Sequence, residues 1–261
     1  MITAIFRQLS IPALLLACAV LAAPAFCQET EDEEAPPDGF EYYEEAVRQH
    51  FMGNIPLAIG LYNNAIMQDP NVAAYHADLG EAYRIMGDFR RAIEELKTAI
   101  SLEPLMADAY TTLGVIYDTE NLSVKAIEYH RKALKINPDH FIAMNNLGQV
   151  YDNLNLAHAA MAMFEQAVEV KPDFAPAYDN LGTGYLKLGD VDRGIELIEK
   201  AIELSDPRDT RLGLYYNDLG MAYLVKHDYE SAKANIEKAV EILPDNPEFK
   251  KSLEFVKSLI K

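Results

Sequence analysis

Small and apolar residues recur along this chain at a fixed interval. The pairs Leu79-Gly80, Leu113-Gly114, Leu147-Gly148, Leu181-Gly182 and Leu219-Gly220 are each followed, three residues after the glycine, by Tyr83, Tyr117, Tyr151, Tyr185 and Tyr223. The step is 34 residues three times and then 38. Ala65, Ala99, Ala133, Ala167, Ala201 and Ala239 keep this register, and Pro70, Pro104, Pro138, Pro172 and Pro244 close the units. Within a unit, positions four, seven, eight and eleven, such as His76, Leu79, Gly80 and Tyr83, are three or four apart and share one helix face. A second helix follows after a short turn. Gly at position eight and Ala at position twenty lack bulk, so the two helices can approach closely while the ring at position eleven fills the space beside them. Gly87-Asp88 and Gly189-Asp190 predict turns in which Asp caps the second helix, and Pro56 suits a helix start. Pro70, Pro104, Pro138 and Pro172 push the residue before them out of the helical region, ending the second helix. Self-similarity at this period predicts an all-α stack of helix hairpins with one continuous core.

The third unit reads Tyr110-x2-Leu113-Gly114-x2-Tyr117, then Ala126-x3-His130, Ala133 and Pro138; the fourth has Met144, Leu147, Gly148, Tyr151, Ala160, Phe164, Ala167 and Pro172 in the same places. This pattern resembles the tetratricopeptide repeat (TPR) family. The resemblance covers six units, residues 39–72, 73–106, 107–140, 141–174, 175–212 and 213–246. It implies a right-handed superhelical solenoid. Departures are local: Ala46 stands where Gly is usual, Gly194 replaces Ala, and the aromatic position never holds Trp. Four extra residues in the segment Ser205–Leu214 should lengthen one inter-repeat loop or one helix. Asn246-Pro247 starts a further helix over residues 247–261, whose Leu253, Val256, Leu259 and Ile260 are expected to close the stack.

The N-terminus has a different pattern. Residues 1–27 carry Arg7, an apolar run from Leu9 to Ala25 and small residues at its end, the layout of a secretory signal peptide. Cleavage after Ala25 and after Cys27 are both compatible with it. Lipidation at Cys18, or an uncleaved anchor, would tie the chain to a membrane; the run of about 17 residues is near the lower limit for a spanning helix. All three place the bulk of the protein outside the cytoplasm, periplasmic or secreted. Residues 28–38 hold five acids in the run 29–34, then Pro36-Pro37, the composition of a solvated linker.

Composition narrows the function. The 261 residues carry 23 Lys and Arg against 41 Asp and Glu, a net charge of −18, which disfavours nucleic acid and favours a neutral or basic partner. Cys18 and Cys27 are the two cysteines, so no disulfide framework or cysteine zinc site is expected beyond them. The six histidines form no short-spaced pair, so no metal and no cofactor is expected. Gly182-Thr183-Gly184 falls inside a repeat helix and reads as packing rather than a phosphate loop. Nucleophile and zinc-protease motifs are missing, so the chain is read as no enzyme. Asn121-Leu122-Ser123 fits a glycosylation sequon in a turn.

In the family the resemblance names, first helices line the concave side and their positions two, five, six, nine, twelve and thirteen contact ligands. Here these positions include Asp78, Glu81, Arg84, Asp108, Asp118, Asn145, Asn146, Gln149, Asp152, Asn153, Asp179, Asn180, Asn217 and Asp218. Each amide offers a donor and an acceptor, so Asn145, Asn146, Asn180 and Asn217 suit the backbone of an extended peptide. The same residues also read as a hydrated helix face. Arg84 and Lys187 are the basic groove residues and lie three repeats apart, so the family's carboxylate clamp is not expected. Phe40, Tyr43 and Val47 on the first helix, and Leu214, Met221 and Leu224 on the eleventh, form apolar stripes expected to anchor a partner. The function expected is a protein-interaction scaffold, with a self-assembling module or homo-oligomer, or an accessory subunit of an envelope enzyme, pilus or secretion assembly, as alternatives.

Overall fold

A computed structural model describes residues 38–260, and the leader and linker expectations for residues 1–37 lie outside them. The described chain forms thirteen α-helices. Six hairpins follow one another: α1 (Gly39–Phe51) with α2 (Ile55–Gln68), α3 (Ala73–Ile85) with α4 (Phe89–Leu102), α5 (Ala107–Thr119) with α6 (Ser123–Ile136), α7 (Phe141–Asn153) with α8 (Ala157–Val170), α9 (Ala175–Lys187) with α10 (Val191–Leu204), and α11 (Leu212–Val225) with α12 (Tyr229–Ile242). A last helix, α13 (Pro247–Leu259), packs on α12. Odd-numbered helices also touch the next odd-numbered helix, from α1 to α11, whereas the even-numbered helices are spaced apart. The odd helices therefore line the inner side of a solenoid.

One contact repeats through the hairpins. A Cβ added at Gly80, Gly114, Gly148, Gly182 or Gly220 would meet Leu96, His130, Phe164, Ile198 or Ile236, the residue sixteen places on, at 2.5–2.7 Å. These partners are almost fully buried, and each large aliphatic or aromatic one contributes about 1.5–3 kcal/mol by burial. Where Ala46 replaces the glycine, the residue sixteen places on is Tyr62, also buried.

The turns inside the hairpins obey a second rule. Gly53, Gly87, Asn121, Asn155, Gly189 and His227 occupy one register position, and all six take positive φ between 58° and 87°. The residue after each sends its N–H back to the carbonyl five residues earlier, as Asp88 does to Tyr83 at 2.9 Å, a Schellman closure. In the sequence, Gly-Asp pairs mark two of these turns and Asn121 is placed in a third, whereas Gly53, Asn155 and His227 stand without the glycine-aspartate pair that announces the turn. Asp88 and Asp190 cap α4 and α10 as expected, accepting from the N–H groups of Arg91 and Arg193, and Asp228 caps α12. Between hairpins the residues preceding Pro70, Pro104, Pro138 and Pro172 leave the helical region, with φ of −126° to −132°. The extra residues before α11 lengthen both elements: residues 205–211 form a longer connection, and α11 has 14 residues where the other odd helices of the repeats have 13.

The last described helix, α13, lies 34 residues beyond the register of α11 and takes the place of a seventh inner helix. Glu254 and Lys257 stand where earlier units hold Gly and Tyr, so the face that would receive another helix is charged and exposed. Val256 is buried and Leu253 and Ile260 pack beside it, as expected. Leu259 does not: it is exposed, because it falls on the inner face rather than on the face against α12, and Phe249 is buried in its stead.

His130 fills the place of Phe164 one unit earlier, with neither ring nitrogen hydrogen-bonded. Burial, helped by the nearby His140, pushes its pKa down to about 4. The unfolded chain therefore binds the extra proton first as pH falls. Stability should be unaffected above about pH 6.5 and decline between there and about pH 4, by up to roughly 3 kcal/mol. His130→Phe should remove that component, measured as melting temperature against pH. In the turns, His227→Gly should relieve the left-handed backbone and raise stability by about 1 kcal/mol, or about 2–4 °C in a thermal melt.

Candidate functional site, the inner face of the odd helices

Positions five and six of the inner helices build a ladder in which position five of one helix meets position six of the next. Tyr43 donates its hydroxyl to Asp78 Oδ2 at 2.7 Å, joining α1 to α3. Asn180 donates Nδ2 to Asn145 Oδ1 at 2.8 Å, joining α9 to α7. Asp179 and Asp218 hold the same two places on α9 and α11, and each is a carboxylate. Burial first, and then the neighbouring Asp218 charge, raises the Asp179 pKa well above the ordinary carboxylate value. The Asp218 pKa is raised too, by burial, against the opposing effects of Asn217 and Lys187. Asp78 is raised by burial, while the Tyr43 hydroxyl pulls it back.

The face a partner can reach is narrower than the sequence register. Asn145 and Asp179 are buried, at 4% and 8% exposure, and serve the ladder. Asp78 and Asn180 are half-buried rungs, and Asn217, also half-buried, donates Nδ2 to Asp218 on its own helix. Glu81 grips Arg84 through two bonds of 2.6 and 2.7 Å, so that arginine is already paired. Asn146 is half-buried and Gln149 exposed, both opening to the groove. Of the first apolar stripe only Phe40 is exposed: Tyr43 stacks on Tyr75 at 4.7 Å between ring centroids, and Val47 packs into the core. Of the second, Leu214 and Met221 are exposed, but Leu224 packs with the α12 and α13 cluster. At the C-terminal end Val225 and Phe255 add exposed apolar surface that the sequence reading missed. Phe255 was legible only through the register of α13, one period after Met221.

Between α3, α5 and α7 the face dips into a depression of about 270 Å³ lined by Glu81, Arg84, Asp108, Thr111, His140 and Asn146 among others. His140 Nε2 lies 3.0 Å from Asp108 Oδ1, and this contact holds the Asp108 pKa below the usual carboxylate range. Lys187 binds both oxygens of Asp152 at 2.6 and 2.7 Å, bridging α9 and α7. Among the described residues no three His, Cys, Asp or Glu side chains converge on a metal-binding arrangement, and no helix is long and apolar enough to cross a membrane.

An acid buried neutral opposes stability once pH exceeds its unfolded value. The Asp179–Asp218 contribution is thus present below about pH 4 and lost as pH rises through the raised folded pKa values. Asp218→Asn should raise the melting temperature at pH 7–8 and leave it unchanged or lower near pH 3, read by circular dichroism against pH.

Comparison with known proteins agrees with this architecture. Tetratricopeptide repeat models match residues 78–141, 142–174 and 173–245. No curated protein sequence matches. Among solved structures, the APC/C hetero-tetramer Cut9-Hcn1 superposes with a TM-score of 0.76 at 19% identity, over 84% of this chain and 42% of that one. The chain therefore spans less than half the length of that relative. PilW, described as a widely conserved type IV pilus biogenesis factor, gives 0.69 at 17% identity over 82% and 98% of the two chains. YrrB, described as a TPR protein with an unusual peptide-binding site, gives 0.52 at 21% identity over 74% and 97%. The three matched segments run without a break over most of the solenoid just described, and the chain belongs to the tetratricopeptide repeat family.

Proposed function

We propose that this protein is a non-catalytic scaffold of the cell envelope or secretory space that holds an extended segment of a neutral or basic partner along its inner face. The observation that carries this reading is the pair of amides that open to the groove on α7, Asn146 and Gln149, with Asn180 and Asn217 half-buried beside them on the next inner helices α9 and α11. An amide can donate to a peptide carbonyl and accept from a peptide N–H, so a row of them fits a backbone irrespective of its side chains. The net charge of −18 supports a partner that is not itself acidic. The peptide-binding site named for YrrB supports peptide capture on this fold.

Export is supported by the leader-like pattern of residues 1–27 and by the pilus biogenesis role named for PilW. The near-complete overlap with PilW also favours a second reading, an accessory subunit of a pilus or secretion assembly. Both readings need the inner face.

Asn146→Ala with Gln149→Ala tests the groove without disturbing the ladder; Asn180 is a poorer choice, since its loss strands the buried Asn145 oxygen at a cost of about 1–3 kcal/mol. In-cell crosslinking of a C-terminally tagged protein should lose its partner about tenfold in this double variant with an unchanged melting temperature. Equal crosslinking would overturn the groove reading, and crosslinks to itself alone would favour self-assembly. The processed N-terminus, read from the same spectra, tests export.

A further inference from the structure

The rung between α9 and α11 breaks the rule that the other two polar rungs obey. Tyr43 meets Asp78 and Asn180 meets Asn145 as donor to acceptor, at 2.7 and 2.8 Å. Asp179 faces Asp218 in those two places, and when both are ionised the rung is acceptor against acceptor. Asp179 is 8% exposed and its Oδ1 has no hydrogen-bond partner. Two further polar atoms at the same end of the face share that condition: the Tyr215 hydroxyl, on a side chain 3% exposed, and Asn217 Oδ1. Tyr215 stands close enough to Asp179 to feel its charge. Buried polar atoms are ordinarily paired, and here the Tyr215 hydroxyl is the one donor among the three unpaired atoms, against the acceptor oxygens of Asp179 and Asn217, so the spot has room for a further donor. The nearby cations are engaged elsewhere: Lys187 by both oxygens of Asp152, and Arg211 by Asp209 at 2.6 Å.

Apolar surface lies on the same side. Leu214, Met221 and Val225 are exposed on α11 at positions two, nine and thirteen of its unit. On α13, Phe255 and Leu259 repeat positions nine and thirteen one period later and are exposed as well. A carboxylate pair with unfilled acceptors, next to an apolar shelf, is complementary to a cationic side chain followed by hydrophobic ones. An ammonium or guanidinium brings three or five donors and a charge, satisfying the oxygens together and relieving the repulsion between the two carboxylates.

We propose that the C-terminal half of the inner face is a receptor for a partner segment that sets one Lys or Arg against Asp179 and Asp218 and lays apolar side chains on Met221, Val225 and Phe255. This rests on the groove reading and specifies the partner chemistry. The basic residue fixes the register of the bound segment; the amides toward α7 hold its backbone.

The test is fluorescence anisotropy of the purified protein with fluorescein-labelled twelve-residue peptides, one Arg stepped along a frame of Leu, Phe, Gly and Ser, against the same peptides with Gln for Arg. At least one Arg peptide should bind tenfold or more tightly than its Gln counterpart. Asp179→Asn with Asp218→Asn recreates the pairing of Asn145 and Asn180, so this variant should melt no lower than the parent. Its Arg preference should fall below twofold, and Phe255→Ser should weaken both peptides of a pair. Equal binding of Arg and Gln peptides, no binding by any peptide at millimolar concentration, or a preference that survives the double Asn variant would each overturn the proposal. The in-cell crosslink separates the two ideas. A partner lost in the Asn146/Gln149 variant but kept in the double Asn variant leaves the groove standing and removes the cation receptor.

Discussion

The close approach of the two helices within each hairpin sets the geometry of everything else. It depends on an absent side chain: at Gly80, Gly114, Gly148, Gly182 and Gly220 a methyl would collide with the side chain sixteen residues on. Because the contact is repeated in register, each hairpin presents its inner helix at the same depth. Interior packing leaves no slack to absorb a different spacing at one unit. The first unit solves the problem otherwise, with Ala46 and the flat ring of Tyr62 in the corresponding places.

A constant inner helix spacing has a polar consequence. It brings position five of one helix within hydrogen-bonding distance of position six of the next, and so converts residues that look like a hydrated face into rungs. Asn145 and Asp179 are buried for this reason, and Tyr43 spends its hydroxyl on Asp78 rather than on a partner. The rungs also carry the electrostatic tension of the molecule. A charge set is tolerable when each acceptor meets a donor, and Asp179 with Asp218 is the rung where that fails.

The end of the stack follows the same logic. The residues of α13 keep the inner-helix register but exchange the small and aromatic contact positions for Glu254 and Lys257, so the apolar core stops against charge. Keeping the register also continues the groove past the last hairpin, which is how Phe255 joins the surface of α11. The helix α13 here both covers the core and lengthens the inner face.

The 34-residue period by itself determined the helix pairs, their lengths, the proline stops and the glycine contacts, because each of these is a local demand on one residue type. It also placed Asp78, Asn180, Asn217, Asn146 and Gln149 on the inner face, since helix phase alone assigns a face. Phase does not say how far the next helix stands. Only the stacked structure decided that Asn145 and Asp179 are interior, that Val47 and Leu224 belong to the core, and that six turns share a left-handed residue whether it is Gly, Asn or His. The turns follow from the closure inside each hairpin, which demands a left-handed residue whatever its type; the buried positions depend on distances between helices, and those are fixed by packing across the chain rather than by any residue read in its own window.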